Sequence, residues 1–387
     1  MKIMYDIRCN HLTGIFNYGI GLLRKLDKLL NASTTLIVVC YKTQLPYLPK
    51  DLSNRTWFFE TTSQLNDIIK CADIHELITK ESISKYVSPN YQIECGLPIP
   101  FAFGIHDLIK YNNSYFFCNT DELIRRHGKS YVRFICKCLD ANIKQDDLEF
   151  RFFRFNMRMN ASKAAYILTN SNDTKKIVAE EFLKPEDRIL VYRPEVKAVF
   201  SRQNVQNFTP VSDLIDSRKV SPFCVYVGLT HPHKRTSMIL QAFYEIQDFI
   251  PNESKLVMVA KKSAVQRLLS NYSESFCNRV ICLERISDEK MAFLYAHALA
   301  LVNASTLEGY GIPVAEALTC GCPVIASDLS VFKEEFGDSI EYFQKDDVAE
   351  LKSLMRKAYA TGLDKPNWTQ TIFDEDVLRL VNWCDQR

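Results

Sequence analysis

The sequence has no long hydrophobic run and no excess of charge of either sign. No stretch approaches the roughly 20 apolar residues of a membrane-spanning helix, and the amino terminus, Met1–Asp6, is charged too early to be a signal peptide. The 48 Lys and Arg residues nearly balance 46 Asp and Glu residues, which leaves a formal charge of +2. We therefore expect a cytoplasmic protein that does not bind nucleic acid.

Metal and nicotinamide signatures are also missing. The 13 cysteines are scattered singly, apart from the pairs Cys136/Cys138 and Cys320/Cys322, whose C-x-C spacing is not that of a zinc site. No histidine cluster accompanies them, so we expect reduced thiols and no bound metal. No predicted strand is followed by G-x-G-x-x-G, which argues against a nicotinamide cofactor.

What the sequence does contain is an alternation of apolar strands and amphipathic helices, clearest from Phe223 onward. Continuous apolar strands separated by helices predict parallel sheets covered on both faces, which is an α/β fold. At 387 residues the chain is too long for one core. The polar stretch Ser201–Lys219 favours a boundary between a domain at 1–200 and a second domain at 201–371. Ligands of such sheets bind beyond the carboxyl ends of the strands.

One loop in the second half has the residues needed to hold a phosphorylated, hydroxyl-rich ligand. Glu308 and Glu316 flank it, Gly309 and Gly311 let a phosphate approach the backbone, and Pro313 fits the first position of a helix. The amides near Gly311 and Ile312 then face an anion at the positive end of that helix. Because carboxylates accept hydrogen bonds from sugar hydroxyls, the pair suits a nucleotide sugar better than a bare nucleotide.

A second loop in this half is basic. It follows the strand that ends at Gly228 and contains His233, Lys234 and Arg235 ahead of the next helix. Cations at a strand end are what a phosphate ligand needs. An ordinary solvated turn is the other interpretation.

The first half gives weaker signals. Gly14 lies between the first predicted strand and helix, where it either leaves room for an anion or only turns the chain. His106 follows the apolar strand Phe101–Ile105 and precedes Asp107, so it is either structural or part of a ligand site at the sheet edge. The stretch 150–159 mixes arginines with phenylalanines. It fits a solvated helix face, a contact with anionic membrane lipid, or, less well, a nucleic-acid patch.

Taken together, these motifs resemble those of the family 4 glycosyltransferases. Glu308–Glu316 matches the family's E-x7-E motif, and the match continues through Cys320–Ser327 and covers the strand and basic loop around Gly228. In the first half, Thr13–Tyr18 and Gly104–Ile109 resemble the amino-terminal loop and the acceptor-side strand. The resemblance is closest to bacterial O-antigen and polysaccharide mannosyltransferases.

The resemblance implies a GT-B fold, with two Rossmann-like doubly wound domains facing a cleft and a carboxy-terminal helix, 372–387, that crosses back to the first domain. It implies retaining, metal-independent transfer of a hexose from a nucleotide diphosphate sugar to a glycan or lipid-linked glycan. GDP-mannose is the preferred donor, and a UDP-sugar stays open. The same resemblance implies a place on the inner face of the cytoplasmic membrane, with 150–159 as a peripheral contact.

The resemblance also implies residue roles. Lys234, with His233 or Arg235 beside it, would neutralise the departing diphosphate, while Glu308 would bind the donor sugar and Glu316 the ribose. Gly309, Tyr310, Gly311 and Ile312 would present backbone amides to the donor. Gly14 and Gly228 would leave room for the donor, and His106 would contact its sugar from the facing domain.

Two positions depart from the family pattern. His233 stands where an arginine is common, and Glu195 replaces a glycine after the inter-domain strand. Leaving-group stabilisation could then be weaker or sensitive to pH. The alternative is therefore a non-catalytic, nucleotide-sugar-binding partner subunit.

Overall fold

The structure is a computed structural model that describes residues 1–9, 14–62, 72–93, 96–205, 221–371 and 374–386. The chain divides into two compact units, one formed by Met1–Pro194 with Ile372–Arg387 and the other by Glu195–Thr371. Each unit is built on a sheet in which every strand pair in the described residues is parallel. None of the helices in these residues is both long and apolar enough to cross a membrane.

The first unit has a seven-stranded sheet in its described residues, in the order β3-β2-β1-β4-β5-β6-β7. Its strands are β1 (Lys2–Asp6), β2 (Thr35–Cys40), β3 (Thr56–Glu60), β4 (Lys85–Ser88), β5 (Phe101–Gly104), β6 (Tyr166–Thr169) and β7 (Ile189–Val191). Its first seven helices are α1 (Gly14–Leu29), α2 (Ala72–Lys80), α3 (Ile109–Asn112), α4 (Thr120–His127), α5 (Lys129–Leu139), α6 (Leu148–Lys163) and α7 (Asn172–Phe182).

The second unit has a six-stranded sheet in its described residues, in the order β10-β9-β8-β11-β12-β13. The strands are β8 (Phe223–Val227), β9 (Lys255–Val259), β10 (Val280–Leu283), β11 (Ala300–Asn303), β12 (Val324–Ser327) and β13 (Glu341–Phe343). The helices are α8 (Arg202–Val205), α9 (Thr236–Ile246), α10 (Lys262–Leu269), α11 (Glu274–Cys277), α12 (Asp288–His297), α13 (Ile312–Thr319), α14 (Ser330–Phe336) and α15 (Val348–Ala360). A final helix, α16 (Glu375–Asp385), belongs to the first unit.

Both faces of the second sheet are buried, as its continuous apolar strands predict. On one face Val225 and Leu301 pack into a cluster with α12, α13 and α14. On the other face Leu256 and Val302 pack with α9 and α15. A parallel sheet covered in this way leaves its strand ends as the place where a ligand can reach it.

Each sheet reverses its strand order at one point, between β1 and β4 in the first and between β8 and β11 in the second. At such a point the loops after the two central strands leave in opposite directions and open a crevice at the carboxyl edge. In the second unit these are the loops that follow Val227 and Asn303. The fold thus places the basic loop and the Glu308 loop side by side.

The first unit ends at Pro194, whereas the sequence predicts a boundary after residue 200. Phe200 is only 2% exposed and packs in the core of the second unit with Tyr295 and Leu294, which places this segment in the second unit. In the first unit, Lys25 of α1 binds the Asp374 carboxylate at 2.9 Å just before α16. Much of the predicted boundary stretch and most of the amino-terminal loop, residues 206–219 and 10–13, lie outside the described residues.

Candidate functional site

The centre of the candidate site is an ion pair between the two loops at the reversal point of the second sheet. Lys234 Nζ lies 2.5 Å from Glu308 Oε1, and the side chains are only 21% and 12% exposed. Ser305 Oγ donates to the same oxygen at 2.7 Å. The structure therefore brings together the two residues to which the sequence assigns the diphosphate and the donor sugar.

These contacts hold Glu308 ionised in spite of its burial. Burial raises the pKa of a carboxyl group, but the Lys234 ammonium and the Ser305 hydroxyl outweigh that effect, and the pKa of Glu308 is lowered overall. The loop that presents it is set by Asn303, whose Oδ1 accepts the Ser305 N–H at 3.0 Å directly after β11. Glu308 is thus a fixed carboxylate that can accept hydrogen bonds.

Backbone hydrogen bonds fasten the basic loop to the Glu308 loop. The Thr306 N–H donates to the His233 carbonyl at 2.8 Å. Arg235 adopts a left-handed backbone conformation, with φ of 47°, and its Nε lies 2.9 Å from Asp346 Oδ1 beyond β13. The guanidinium group of Arg235 is therefore engaged with a carboxylate other than Glu308.

His233 does not supply a positive charge at neutral pH. Burial lowers its pKa to about 4, with a further lowering by the neighbouring Lys234 ammonium. The imidazole is then neutral at physiological pH. Its ring lies 5.8 Å from that of His231, centroid to centroid, in a stacked arrangement. The sequence-based expectation of a pH-sensitive cation at this position is not supported near neutral pH.

The second glycine of the motif is required by its backbone. Gly311 precedes α13 with φ of 100°, and a Cβ there would come within 2.6 Å of the Phe332 ring. The sequence predicts Pro313 at the first position of the helix. Helix α13 begins at Ile312, so Pro313 occupies the second position. In the described part of the chain, no hydrogen bond uses the N–H groups of Gly311 or Ile312. Two amides at a positive helix end are thereby available to an anion.

Tyr310 contributes to the site through its backbone alone. Its side chain is 3% exposed, packs edge-on against Phe336, and receives a hydrogen bond from Gln370 Nε2 at 2.9 Å. Gly309 beside it is buried as well. That Gly309 and Tyr310 present backbone amides to a ligand stays a prediction.

Glu316 lies one turn inside α13, where Tyr295 of α12 donates to its Oε2 at 3.3 Å. Burial of the carboxyl group raises the pKa of Glu316 to about 8, which the Tyr295 hydrogen bond only partly opposes. Without a ligand this carboxyl group is therefore mainly protonated at pH 7. The two carboxyl groups of the motif differ because Glu308 is in direct contact with the Lys234 ammonium, whereas Lys197 acts on Glu316 through its charge alone and is itself paired with Asp288.

Gly228 follows β8 with φ of 152°, and a Cβ there would approach the Tyr226 hydroxyl at 3.3 Å. That hydroxyl donates to the Leu229 carbonyl at 2.7 Å and accepts from Thr236 Oγ1 at 3.0 Å. Tyr226 thereby joins the start and the end of the basic loop. Gly228 keeps the space that this arrangement needs.

The other two predicted site residues belong to the first unit. His106, 5% exposed, follows β5, and its Nε2–H donates to the carbonyl of Pro89 at 2.6 Å. Its Nδ1 is then a lone-pair acceptor, and it is buried without a hydrogen-bond partner in the described residues. Burial lowers the pKa of His106 to about 4, so the ring is neutral. Gly14 begins α1, which also carries Tyr18, whose ring lies 4.3 Å from that of His106.

The stretch 150–159 is part of α6, and its apolar side chains are buried or half-buried. Phe152 and Met157 are buried, and the Arg154 guanidinium stacks on the Tyr111 ring at 4.5 Å. Arg158 Nη2 binds Glu181 at 2.8 Å. The structure thus gives this stretch a packing role.

Comparisons with known proteins point to the same class of protein as the sequence motifs. Residues 215–370 match the family described as glycosyl transferases group 1. The O-antigen chain mannosyltransferase RfbU of Salmonella typhimurium is 25% identical over 209 residues, which are 53% of this chain and 54% of the relative. The chain spans about half the length of the curated relatives it matches.

Solved structures share the fold over nearly the whole chain. HepE of Anabaena, solved in complex with UDP and glucose, superposes with a TM-score of 0.60 at 15% identity and covers 93% of this chain and 90% of its own. WaaG, a glycosyltransferase involved in lipopolysaccharide biosynthesis, gives a TM-score of 0.61 at 12% identity over 100% of this chain and 94% of its own.

Residues 215–370 therefore match a glycosyl transferases group 1 domain, and the fold of the chain is of the GT-B class. The prediction of two Rossmann-like parallel sheets is confirmed. Sequence reasoning missed three side chains that hold the predicted site residues in place, namely Ser305, Tyr295 and Asp346. No spacing rule in the sequence tells which carboxylate or cation a distant side chain will reach.

Proposed function

We propose that this chain is a retaining glycosyltransferase that moves a hexose, with mannose preferred, from a nucleoside diphosphate sugar to a surface polysaccharide such as lipid-linked O-antigen. The observation that carries the proposal is the Lys234–Glu308 pair, 2.5 Å apart at the reversal point of the second sheet and on the loop that leads into α13. A departing diphosphate requires positive charge and free amides, and a sugar requires fixed hydrogen-bond acceptors. The two loops supply both.

In this proposal Lys234 leaves Glu308 for the diphosphate when the donor binds, and Glu308 accepts hydrogen bonds from the sugar hydroxyls. The N–H groups of Gly311 and Ile312 meet the phosphate or the sugar. Glu316 binds the ribose. Because an ammonium and a helix end carry the positive charge, the reaction needs no metal ion, and a chelator should leave the rate unchanged.

His106 of the first unit would accept a hydrogen bond from a sugar hydroxyl. Its Nε2–H is committed to the Pro89 carbonyl, so only Nδ1 can meet a ligand, and it can do so only as an acceptor. A sugar hydroxyl is a donor of the required kind. The neutral state of the ring makes this role independent of pH above about pH 5.

Relatives support two donor classes. The curated relatives are mannosyltransferases, which favours GDP-mannose. HepE was solved with UDP and glucose, which keeps a UDP-hexose as the second class. Both should be offered to the protein in one assay.

The decisive experiment measures release of the nucleoside diphosphate from GDP-mannose and UDP-glucose in the presence of lipid-linked glycan acceptors. Glu308→Gln should lower turnover at least about 100-fold, the range seen when one polar group aimed at the reacting centre is lost. Glu253→Gln, an exposed position in the same unit, is the matched control. Equal turnover in the two variants would contradict the site assignment. Saturable donor binding without turnover in the unmodified protein would favour the partner-subunit alternative.

We also propose peripheral contact with the inner face of the cytoplasmic membrane through α6, in an electrostatic form. Phe152 is buried and the other phenylalanines of 150–159 are half-buried, so the contact depends mainly on arginines such as the exposed Arg158. Flotation with anionic vesicles should decrease with salt and on joint replacement of Arg151, Arg154 and Arg158 by glutamine. No flotation even at low salt would refute this contact.

A further inference from the structure

A small pocket with aromatic walls lies in the first unit, among α3, α4, α5, α6 and the segment after β4. The cavity measures about 60 Å³. Three of its rings, Tyr91, Phe117 and Phe153, pack on one another with centroids 5.1 and 5.7 Å apart. The donor-site residues described above do not line it.

Lys110 of α3 places its ammonium group among these rings. Its Nζ lies 5.9 Å from the centroid of Tyr91, 5.1 Å from that of Phe117 and 5.2 Å from that of Phe153. Within the described residues it makes no hydrogen bond and no ion pair. Burial lowers the pKa of Lys110, and the Glu149 carboxylate only partly opposes this. The pocket therefore contains a hydrogen-bond donor whose bonds are unused.

Glu149 of α6 supplies an acceptor to the same pocket. Its Oε2 accepts the Cys118 N–H at 2.8 Å, which fixes the side chain. The Cys118 thiol is hydrogen-bonded to the same carboxylate. These two donors use only part of the roughly four acceptor positions of a carboxylate. No ion pair joins Glu149 to Lys110. A cation and a carboxylate thus line one cavity with hydrogen-bonding capacity left on both.

We propose that this pocket binds one sugar residue of the acceptor glycan, a proposal that rests on the glycosyltransferase function. A sugar hydroxyl both donates and accepts, so it can bridge Glu149 and Lys110 at once. The apolar face of a pyranose ring suits the aromatic walls. A free anion fits less well because Glu149 repels it, and a free cation less well because Lys110 already occupies the cage.

The size and place of the pocket agree with this ligand. At 10–15 Å³ for each water, 60 Å³ has room for about four to six waters. The hydroxyl-bearing edge of one pyranose displaces a similar number of atoms. Tyr91 follows Pro89 by two residues, and Lys110 follows His106 by four. The pocket therefore lies beside the carboxyl edge of the sheet at which His106 is found.

Saturation-transfer NMR on the full-length protein tests the pocket directly. The probes are the methyl α-glycosides of mannose, glucose and galactose at about 20 mM, well above the millimolar range of weak sites. At least one should give signals that fall about fivefold or more in Lys110→Met and in Glu149→Gln. The matched controls, Lys137→Met and Glu180→Gln, change exposed residues of the same unit and should keep the signals. Methionine suits an aromatic cage, so the Lys110 variant should fold.

Three outcomes would overturn the proposal. They are the absence of signals from every glycoside, signals that survive both pocket substitutions, and displacement of the glycoside by inorganic phosphate, which would make the pocket an anion site.

Kinetics separate this proposal from the proposed function. In Lys110→Met the KM for the acceptor should rise about tenfold while donor affinity is unchanged. A protein that binds glycoside in this pocket but never transfers sugar would refute the proposed function and leave the pocket intact. Unchanged acceptor KM together with full turnover would refute the pocket alone.

Discussion

Replacement of Glu316 by glutamine is expected to stabilise the ligand-free protein at neutral and alkaline pH. Burial raises the pKa of Glu316 from an ordinary value of 4.5 to about 8. A carboxyl group whose pKa is higher in the folded than in the unfolded state binds more protons when the chain is folded. The free energy of unfolding therefore decreases as pH rises through the interval between the two pKa values.

The magnitude follows from the width of that interval, about 3.5 pH units at 1.36 kcal/mol each. Because the unfolded chain ionises this group at a lower pH than the folded chain does, the loss of unfolding free energy reaches about 3 kcal/mol at pH 7 and about 5 kcal/mol above pH 8. Glutamine has no charge at any pH and still offers Tyr295 an acceptor. For a unit of this size, 1 kcal/mol shifts Tm by about 2–4 °C, so the variant should melt about 6–12 °C higher at pH 7.

Thermal unfolding of the unmodified protein and Glu316→Gln from about pH 5 to about pH 8.5 tests this reasoning, because the difference in Tm isolates one group. The difference should be small at the acidic end and should widen as pH rises. Glu253→Gln, at an exposed position in the same unit, should give a difference that does not depend on pH. A constant Tm difference for Glu316→Gln would mean that this carboxyl group ionises at its ordinary pKa, which would refute the argument from burial.

Two further experiments test the geometry of the candidate site. Lys234→Met and Glu308→Gln should each destabilise the ligand-free protein, because each single change leaves a buried charge without its partner. A double-mutant cycle from chemical unfolding should give a coupling energy of about 1–3 kcal/mol. Effects that are additive within about 0.5 kcal/mol would contradict the ion pair. Gly311→Ala should weaken donor binding and lower Tm by several degrees more than the control substitution Gly362→Ala. Both glycines have positive φ, but only at Gly311 does the new Cβ meet Phe332. Equal losses of Tm in the two variants would show that the Phe332 ring moves aside.

The two loops of the candidate site in the second unit could be predicted from sequence because their signals are local. Glu308, Gly311 and Glu316 lie within nine residues, and the geometry of a loop before a helix follows from the glycine and proline next to it. The basic loop is equally local, directly after a buried strand. Strand–helix alternation then fixes which edge of the sheet both loops share. The prediction of these two loops therefore depends on no long-range contact.

The supporting contacts could not be predicted because each joins distant parts of the chain. Arg235 is 111 residues from Asp346, and its left-handed backbone gives no sign in the sequence of the direction in which the side chain turns. The stretch 150–159 was interpreted from its composition, which is the same whether phenylalanines face a lipid or a helix bundle. Lys110 is 39 residues before Glu149, and only the packing of α3 against α6 gives them a common cavity.

The positive charge of the candidate site is carried by Lys234 and not by its neighbour His233. The part of residue 233 that the loop uses is its carbonyl, which accepts the Thr306 N–H and joins the two loops whatever the side chain is. A neutral imidazole leaves Lys234 as the cation beside Glu308, while Arg235 is engaged with Asp346. In the ligand-free protein one ammonium then faces one carboxylate, a balanced pair that a second buried cation would upset. A neutral side chain at position 233 therefore keeps the ligand-free site balanced, and it leaves Lys234 and the start of α13 as the sources of positive potential in the two loops.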